Sequence, residues 1–194
     1  MADTSSVMQV PSAIYLNLKA REVITGRVLD AGCGHKPYKQ MFPECEWVGL
    51  DKRPVGEITA DLHELVEMTD LHGTFNTVIC TEVLHQCISP FTVMQGIAAC
   101  LKPGGHLVVT APNCYAEDEE SLWGIKVRGM DYLVAQAGLK GVDLRTEGRV
   151  WSQEWFDFNQ FNKFGQPVGE NHHGWLTQCD ARYPVVTIAV ARKE

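Results

Sequence analysis

Short apolar runs separated by glycine, proline and charged residues set the rhythm of this chain. Val28-Leu29 reads as the end of a buried strand, and Glu46–Asp51, Ile58–Leu62 and Phe75–Glu82 read as further short strands. Between them, Tyr38–Phe42 predicts a short helix with Pro37 tolerated in its first turn and Pro43 closing it, and Leu62–Leu71 predicts another. The clearest helix is Pro90–Leu101, with Ser89 as N-cap and Pro90 at the first helical position. Lys102-Pro103-Gly104-Gly105 stops it, and Leu107-Val108-Val109 begins the next strand. Val127–Ala137 predicts a helix ending at Gly138, and Val142–Thr146 and the β-branched run Val185–Val190 predict two last strands. Upstream, apolar and charged residues alternate at helical spacing from Ser12 to Thr25. Strands alternating with helices imply an α/β fold: a doubly wound, mostly parallel sheet with helices on both faces.

The run Val28-Leu29-Asp30-Ala31-Gly32-Cys33-Gly34 organises this pattern. A strand leads into a Gly-x-Gly turn, where the missing Cβ lets the backbone turn sharply and approach a ligand. Open α/β sheets bind nucleotide-like cofactors at such turns. A dinucleotide fingerprint requires a third glycine where this chain has Pro37, and a phosphate loop requires a Gly-Lys-Ser/Thr ending that is missing. Asp30, two places before the first glycine, suits a cofactor with an ammonium group. Asp51 ends the second strand, where a carboxylate can accept hydrogen bonds from ribose hydroxyls, and Asp61 ends the third.

Asp30-Ala31-Gly32-Cys33-Gly34 resembles the first motif of class I S-adenosylmethionine-dependent methyltransferases, with Lys36 where that family often has a third glycine. Thr77–His85 resembles the fourth motif, and Leu101–Val109 the turn and fifth strand. The likeness covers residues 26–112 and fades toward 147. It implies a Rossmann-like, seven-stranded sheet with an antiparallel C-terminal edge strand, and S-adenosyl-L-methionine as cofactor. It assigns cofactor contacts to Asp30, Ala31, Gly32 and Gly34, to Asp51 and Lys52, to Asp61 and Leu62, and to Thr81 and Glu82. Asp61 falls at the adenine-contacting position. The 194 residues divide into an N-terminal helical segment (1–25), a cofactor-binding core (26–112) and a substrate-side half (113–194). An aromatic insert at about 150–178 lies in that last part, all within one domain.

Composition narrows the function. A formal charge of −7 gives no global basic field for nucleic acid or anionic lipid. No apolar run approaches the ~20 residues that span a bilayer, and the N-terminus lacks a secretory signature. Seven cysteines without a Cys-x-x-Cys pair fit a reducing cytoplasm and no disulfide framework. Histidines and cysteines show no zinc spacing, so no metal is expected. The fourth motif lacks the Asn/Asp-Pro-Pro-aromatic signature of amino-directed DNA methyltransferases, and no Pro-Cys nucleophile occurs. A small molecule or glycan is therefore the expected acceptor.

Methyl transfer from a sulfonium needs alignment and exclusion of water, and a base where the nucleophile carries a proton. His85, after the fourth strand, is the candidate base; the competing reading has it shape the pocket. His172 and His173 in the aromatic insert are a second candidate pair, and His35 and Lys36 read as loop residues. Trp151–Trp175 reads as a cover for the acceptor or as an extension of the core. Beside the enzyme stand two other classes, a non-catalytic binding or scaffold module of the same fold and a nicotinamide oxidoreductase, the latter disfavoured by Pro37. Oligomeric state stays open.

Overall fold

A computed structural model describes residues 20, 22–113, 121–147 and 186–194. Its strands are Arg27–Ala31 (β1), Glu46–Asp51 (β2), Ile58–Thr59 (β3), Phe75–Thr81 (β4), Leu101–Pro112 (β5), Lys140–Glu147 (β6) and Val186–Arg192 (β7). They form one seven-stranded sheet in the order β3-β2-β1-β4-β5-β7-β6. β1 pairs in parallel with β2 and β4, β2 with β3, and β4 with β5. β7 runs antiparallel to both β5 and β6. The expected fold is present: one antiparallel C-terminal strand in a mostly parallel sheet. That strand lies one place in from the edge, and β6 is outermost.

Two α-helices are described, Pro90–Cys100 (α1) and Val127–Gln136 (α2). Ser89 caps α1, its hydroxyl accepting the Thr92 N–H at 3.3 Å. α2 stops at Gly138, whose φ of 73° suits a residue without a Cβ. There the Leu139 N–H bonds the Val134 carbonyl and the Gly138 N–H bonds that of Ala135. Apolar side chains of both helices pack with Leu29, Leu50, Val78, Leu107 and Val109 on one side of the sheet. On the other side Val28, Ile79, Val108, Ile188 and Val190 pack with Ala20, Ile24, Tyr38 and Phe42. Alternate residues of β5 and β7 thus serve opposite layers, as the period of two requires.

The remaining expected helices are shorter than the pattern suggests. Tyr38–Phe42 yields one 3-10 turn, Lys39–Met41, because the flanking prolines leave no room to propagate it. Leu62–Leu71 yields a 3-10 turn at Leu62–Val66, opened by Asp61 in a capping box with Glu64. The breaker cluster is absorbed into β5: pairing jumps from Phe75–Leu101 to Thr77–His106, leaving Lys102–Gly105 as an excursion. Most of the expected N-terminal helical segment, residues 114–120 and the expected aromatic insert with His172 and His173 lie outside the described residues.

Candidate functional site

The carboxyl ends of β1 to β4 bring most of the predicted residues to one edge of the sheet. After Ala31 the backbone turns through Gly32, at φ 80°, and Gly34, at φ 49°. The N–H groups of Gly32 and Cys33 both reach the Leu50 carbonyl of β2, at 2.8 and 3.0 Å. A Cβ on Gly32 would lie 2.4 Å from the Val83 side chain, so glycine there also admits the β4 loop. Among the described residues, a Cβ built on Gly34 meets one atom within 4 Å beyond its chain neighbours, the Arg53 Nη2 at 3.6 Å. Lys36, where the family often has glycine, adopts φ 55°. Its ammonium reaches across to Glu57, whose carboxylate also accepts the Gly49 N–H at 2.6 Å. The Lys36 hydrogen bond draws Glu57 down to about 2. A lysine thus takes a glycine conformation, with its side chain anchored on the β2–β3 connection.

The three acids differ sharply. Asp30 is buried, and its Oδ2 accepts the Trp47 indole N–H at 3.1 Å. Burial pushes its pKa up to about 7, with the Trp47 bond and the Lys36 charge opposing. Asp51, also buried, accepts the Gly34 N–H on Oδ2 at 2.9 Å, tying the second strand to the glycine turn. Its Oδ1 accepts the Arg53 N–H at 2.9 Å and Nε at 3.0 Å, and the Arg53 Nη2 approaches Oδ2 at 3.3 Å. Burial works to raise this carboxyl, but the Arg53 and Gly34 bonds outweigh it and hold it below the ordinary range. Asp61 is exposed and serves as N-cap of the 3-10 turn: its Oδ1 accepts the His63 N–H at 2.9 Å and meets the His63 ring. Those His63 bonds keep it below the usual carboxylate range. His63 accepts the Ser89 N–H on Nε2 at 3.1 Å, so its proton sits on Nδ1, facing Asp61. Lys52 is exposed and lies close enough to Asp61 to lower its pKa further; Leu62 is buried beneath the turn.

At the end of β4, Glu82 leaves the strand at φ 55°, a left-handed conformation that is costly for a residue with a side chain. Thr110 of β5 holds it there, since the Glu82 N–H reaches the Thr110 carbonyl at 3.1 Å and the Thr110 hydroxyl donates to Glu82 Oε1 at 2.7 Å. Thr81, at the end of the strand, is buried and hydrogen-bonds the Tyr38 phenol, which burial pushes well up. His85 sits on the 3-10 turn Leu84–Gln86 with 4% of its surface exposed. Its carbonyl accepts the N–H groups of Leu122 and Trp123, at 2.8 and 3.1 Å. His35 is exposed, as a loop residue should be. Burial raises the thiol of Cys33 to about 11, so it stands beside the turn as a neutral group. Among the described residues no three metal-ligating side chains converge, and no helix is long and apolar enough to cross a membrane.

Sequence reasoning passed over Arg53, His63, Trp47, Glu57 and Thr110. Only the first two carried a signal, each lying two residues after a strand-end acid; Thr110 is one polar residue inside an apolar strand.

The donor set fits the cofactor that the motifs imply: an open glycine turn, a buried strand-end carboxylate beside it, and an exposed carboxylate beyond. Comparison with known proteins agrees. Residues 10–164 match the family model described as a methyltransferase domain. The chain therefore belongs to the methyltransferase-domain family, of the class I, S-adenosylmethionine-dependent type. Over 136 residues it is 29% identical to a ubiquinone biosynthesis O-methyltransferase of Pectobacterium atrosepticum, an alignment covering 62% of this chain and 55% of that protein. The chain thus spans about half the length of the curated relatives it matches. An Archaeoglobus fulgidus SAM-dependent methyltransferase superposes with a TM-score of 0.63 at 15% identity, covering 98% of this chain and 100% of the other. A Burkholderia thailandensis 1,6-didemethyltoxoflavin-N1-methyltransferase, solved with 1,6-didemethyltoxoflavin and S-adenosylhomocysteine, gives 0.64 at 19% identity, covering 98% and 79%.

Proposed function

We propose that this protein transfers the methyl group of S-adenosylmethionine to an oxygen or nitrogen of a small-molecule or sugar acceptor in the cytoplasm. The observation that carries the reading is the 2.9 Å bond from the Gly34 N–H to Asp51 Oδ2, which joins the glycine turn to a strand-end carboxylate. That pairing supports a nucleoside seat, with Asp51 toward the ribose, Asp61 toward the base and Asp30 toward the methionine ammonium. The cofactor supplies an electrophilic methyl on a sulfonium, so the protein's own work is alignment, exclusion of water and, for a hydroxyl acceptor, removal of a proton. His85 is our candidate for that last task, since it follows β4 on the side where the acceptor approaches. Ala31, Gly32, Gly34, Lys52, Leu62, Thr81 and Glu82 line the proposed cofactor side. The relative named as a ubiquinone biosynthesis O-methyltransferase and the neighbour named as a 1,6-didemethyltoxoflavin-N1-methyltransferase support the acceptor class. Five free cysteines among the described residues fit a reducing compartment.

Calorimetry with S-adenosylmethionine and with NAD, followed by labelled transfer into pooled small-molecule and glycan acceptors, tests the reading. Binding of the first ligand alone, with label appearing in a low-mass product, is the expected result. Asp51→Ala should weaken cofactor binding at least about tenfold. His85→Gln should keep cofactor affinity while losing transfer and flattening the pH–rate profile. Binding of NAD in preference, or label in no acceptor, would overturn the proposal.

A further inference from the structure

Asp51 presents a problem for any nucleoside: its carboxylate already holds a full complement of donors. A carboxylate offers about four lone-pair sites. Here Oδ1 takes the Arg53 N–H and Nε, and Oδ2 takes the Gly34 N–H and the Arg53 Nη2. The four bonds fall into two kinds. The Gly34 and Arg53 backbone groups fix the orientation of the carboxylate and belong to the turn itself. The guanidinium, approaching side-on, supplies two roughly parallel donors, one to each oxygen, as the two hydroxyls of a ribose would. It also lies over Gly34, where its Nη2 comes within 3.6 Å of a notional Cβ. The end of this side chain therefore borders the space that glycine keeps open for a ligand. The Arg53 side chain is 58% exposed.

We propose that Arg53 occupies the place of the ribose diol in the ligand-free protein and withdraws when the nucleoside arrives, making it an internal competitor that sets cofactor affinity. This deepens the cofactor reading and rests on the assignment of Asp51 to the ribose. The competition is modest, because the guanidinium lies mostly in water, where its attraction to the carboxylate is weakened and screened by salt.

The test measures S-adenosylhomocysteine affinity by calorimetry for the wild type, Arg53→Met, Arg53→Gln and Asp51→Asn, at low and high salt. Both Arg53 variants should bind about two- to fivefold more tightly than the wild type at low salt, and the gain should shrink at high salt as screening releases the guanidinium. Arg53→Gln keeps a polar stem and serves if the methionine variant folds poorly, as judged by its melting curve. Equal or weaker binding by the folded Arg53 variants, while Asp51→Asn still loses about tenfold, overturns the competitor role and makes Arg53 a ligand contact or a bystander. Wild-type affinity in Asp51→Asn removes the ribose assignment itself, whatever the Arg53 variants do.

Discussion

The two ends of the parallel strands use buried polar groups for opposite purposes. At the carboxyl ends of β1 to β4, ionisable side chains sit in conflict with their surroundings. Asp30 is buried with its pKa raised to about 7, and Lys36 and Glu82 both adopt left-handed backbone. At the other end, polar groups chiefly satisfy the backbone. Asn76 Oδ1 accepts the Arg27 N–H and the Lys102 ammonium, at 3.1 Å each, and the Thr77 hydroxyl donates to the Val23 carbonyl at 2.9 Å. Lys193 reaches into the C-terminus of α1 and donates to the carbonyls of Ala98 and Leu101, both at 2.8 Å. Carbonyls there have no helical partner, and a cation suits the negative end of the helix dipole. One end spends stability on a site; the other recovers some of it by giving these carbonyls donors.

The largest expected effect tests the strained end. The Asp30 pKa rises from 3.8 in the free side chain to about 7 on folding. Between those values the folded protein holds a proton that the unfolded chain has lost. Stability contributed by this group is therefore greatest at acid pH and falls as the pH climbs to about 7. Asp30→Asn removes the charge and keeps an acceptor for Trp47. It should stabilise the protein by about 2–4 kcal/mol near pH ~8, and the gain should fade toward pH ~4, as read from denaturant midpoints across pH. A gain that does not vary with pH would show that the carboxyl is not strained by burial. The cofactor affinity of this variant should fall, which is the cost that function places on stability.

The next test addresses the opposite end. Lys193→Met keeps the aliphatic stem and strands the α1 carbonyls. It should lose about 1–2 kcal/mol of stability while leaving cofactor affinity unchanged. A comparable loss of affinity would mean that the two ends are coupled, contrary to the division drawn above.

The smallest effect sharpens the account of Lys36. Its side chain anchors on Glu57 while its backbone occupies a glycine conformation. Lys36→Ala forfeits the anchor and keeps the strained backbone, whereas Lys36→Gly forfeits the anchor and relieves the strain. The glycine variant should be the more stable of the two by about 1 kcal/mol. The reverse order, in paired thermal melts, would place the strain elsewhere.

The strands and the strand-end acids were legible because their signals are local. Asp30, Asp51 and Asp61 each follow a short apolar run, and Gly32 and Gly34 each take the positive φ that the turn requires. The long helix at Pro90 announced itself through Ser89 and the proline. What escaped the sequence was pairing across distance. Nothing in the pattern says that Trp47 will bond Asp30, that Thr110 will hold Glu82, or that Lys36 will keep its left-handed turn by reaching Glu57. The position of β7 was hidden for the same reason: a β-branched run announces a strand but not its neighbours. Residues 38–42 and 62–71 read as helices because short periodic runs cannot reveal that flanking breakers limit them to one turn.

That placement of β7 orders the assembly of the sheet in time. Among the described residues β6 finds its sheet partner only in β7, which in turn pairs with β5. As the chain leaves the ribosome, β1 to β5 can align through connections of modest length, but β6 must wait for a strand that begins at Val186. The β5–β7 pairing closes a loop of more than seventy residues, from Pro112 to Val186, and such long-range contacts form late. The nascent sheet therefore presents β5 as a bare edge until Val186–Arg192 has been made, and β7 and β6 then join it together. Such an edge can pair with another chain in the meantime.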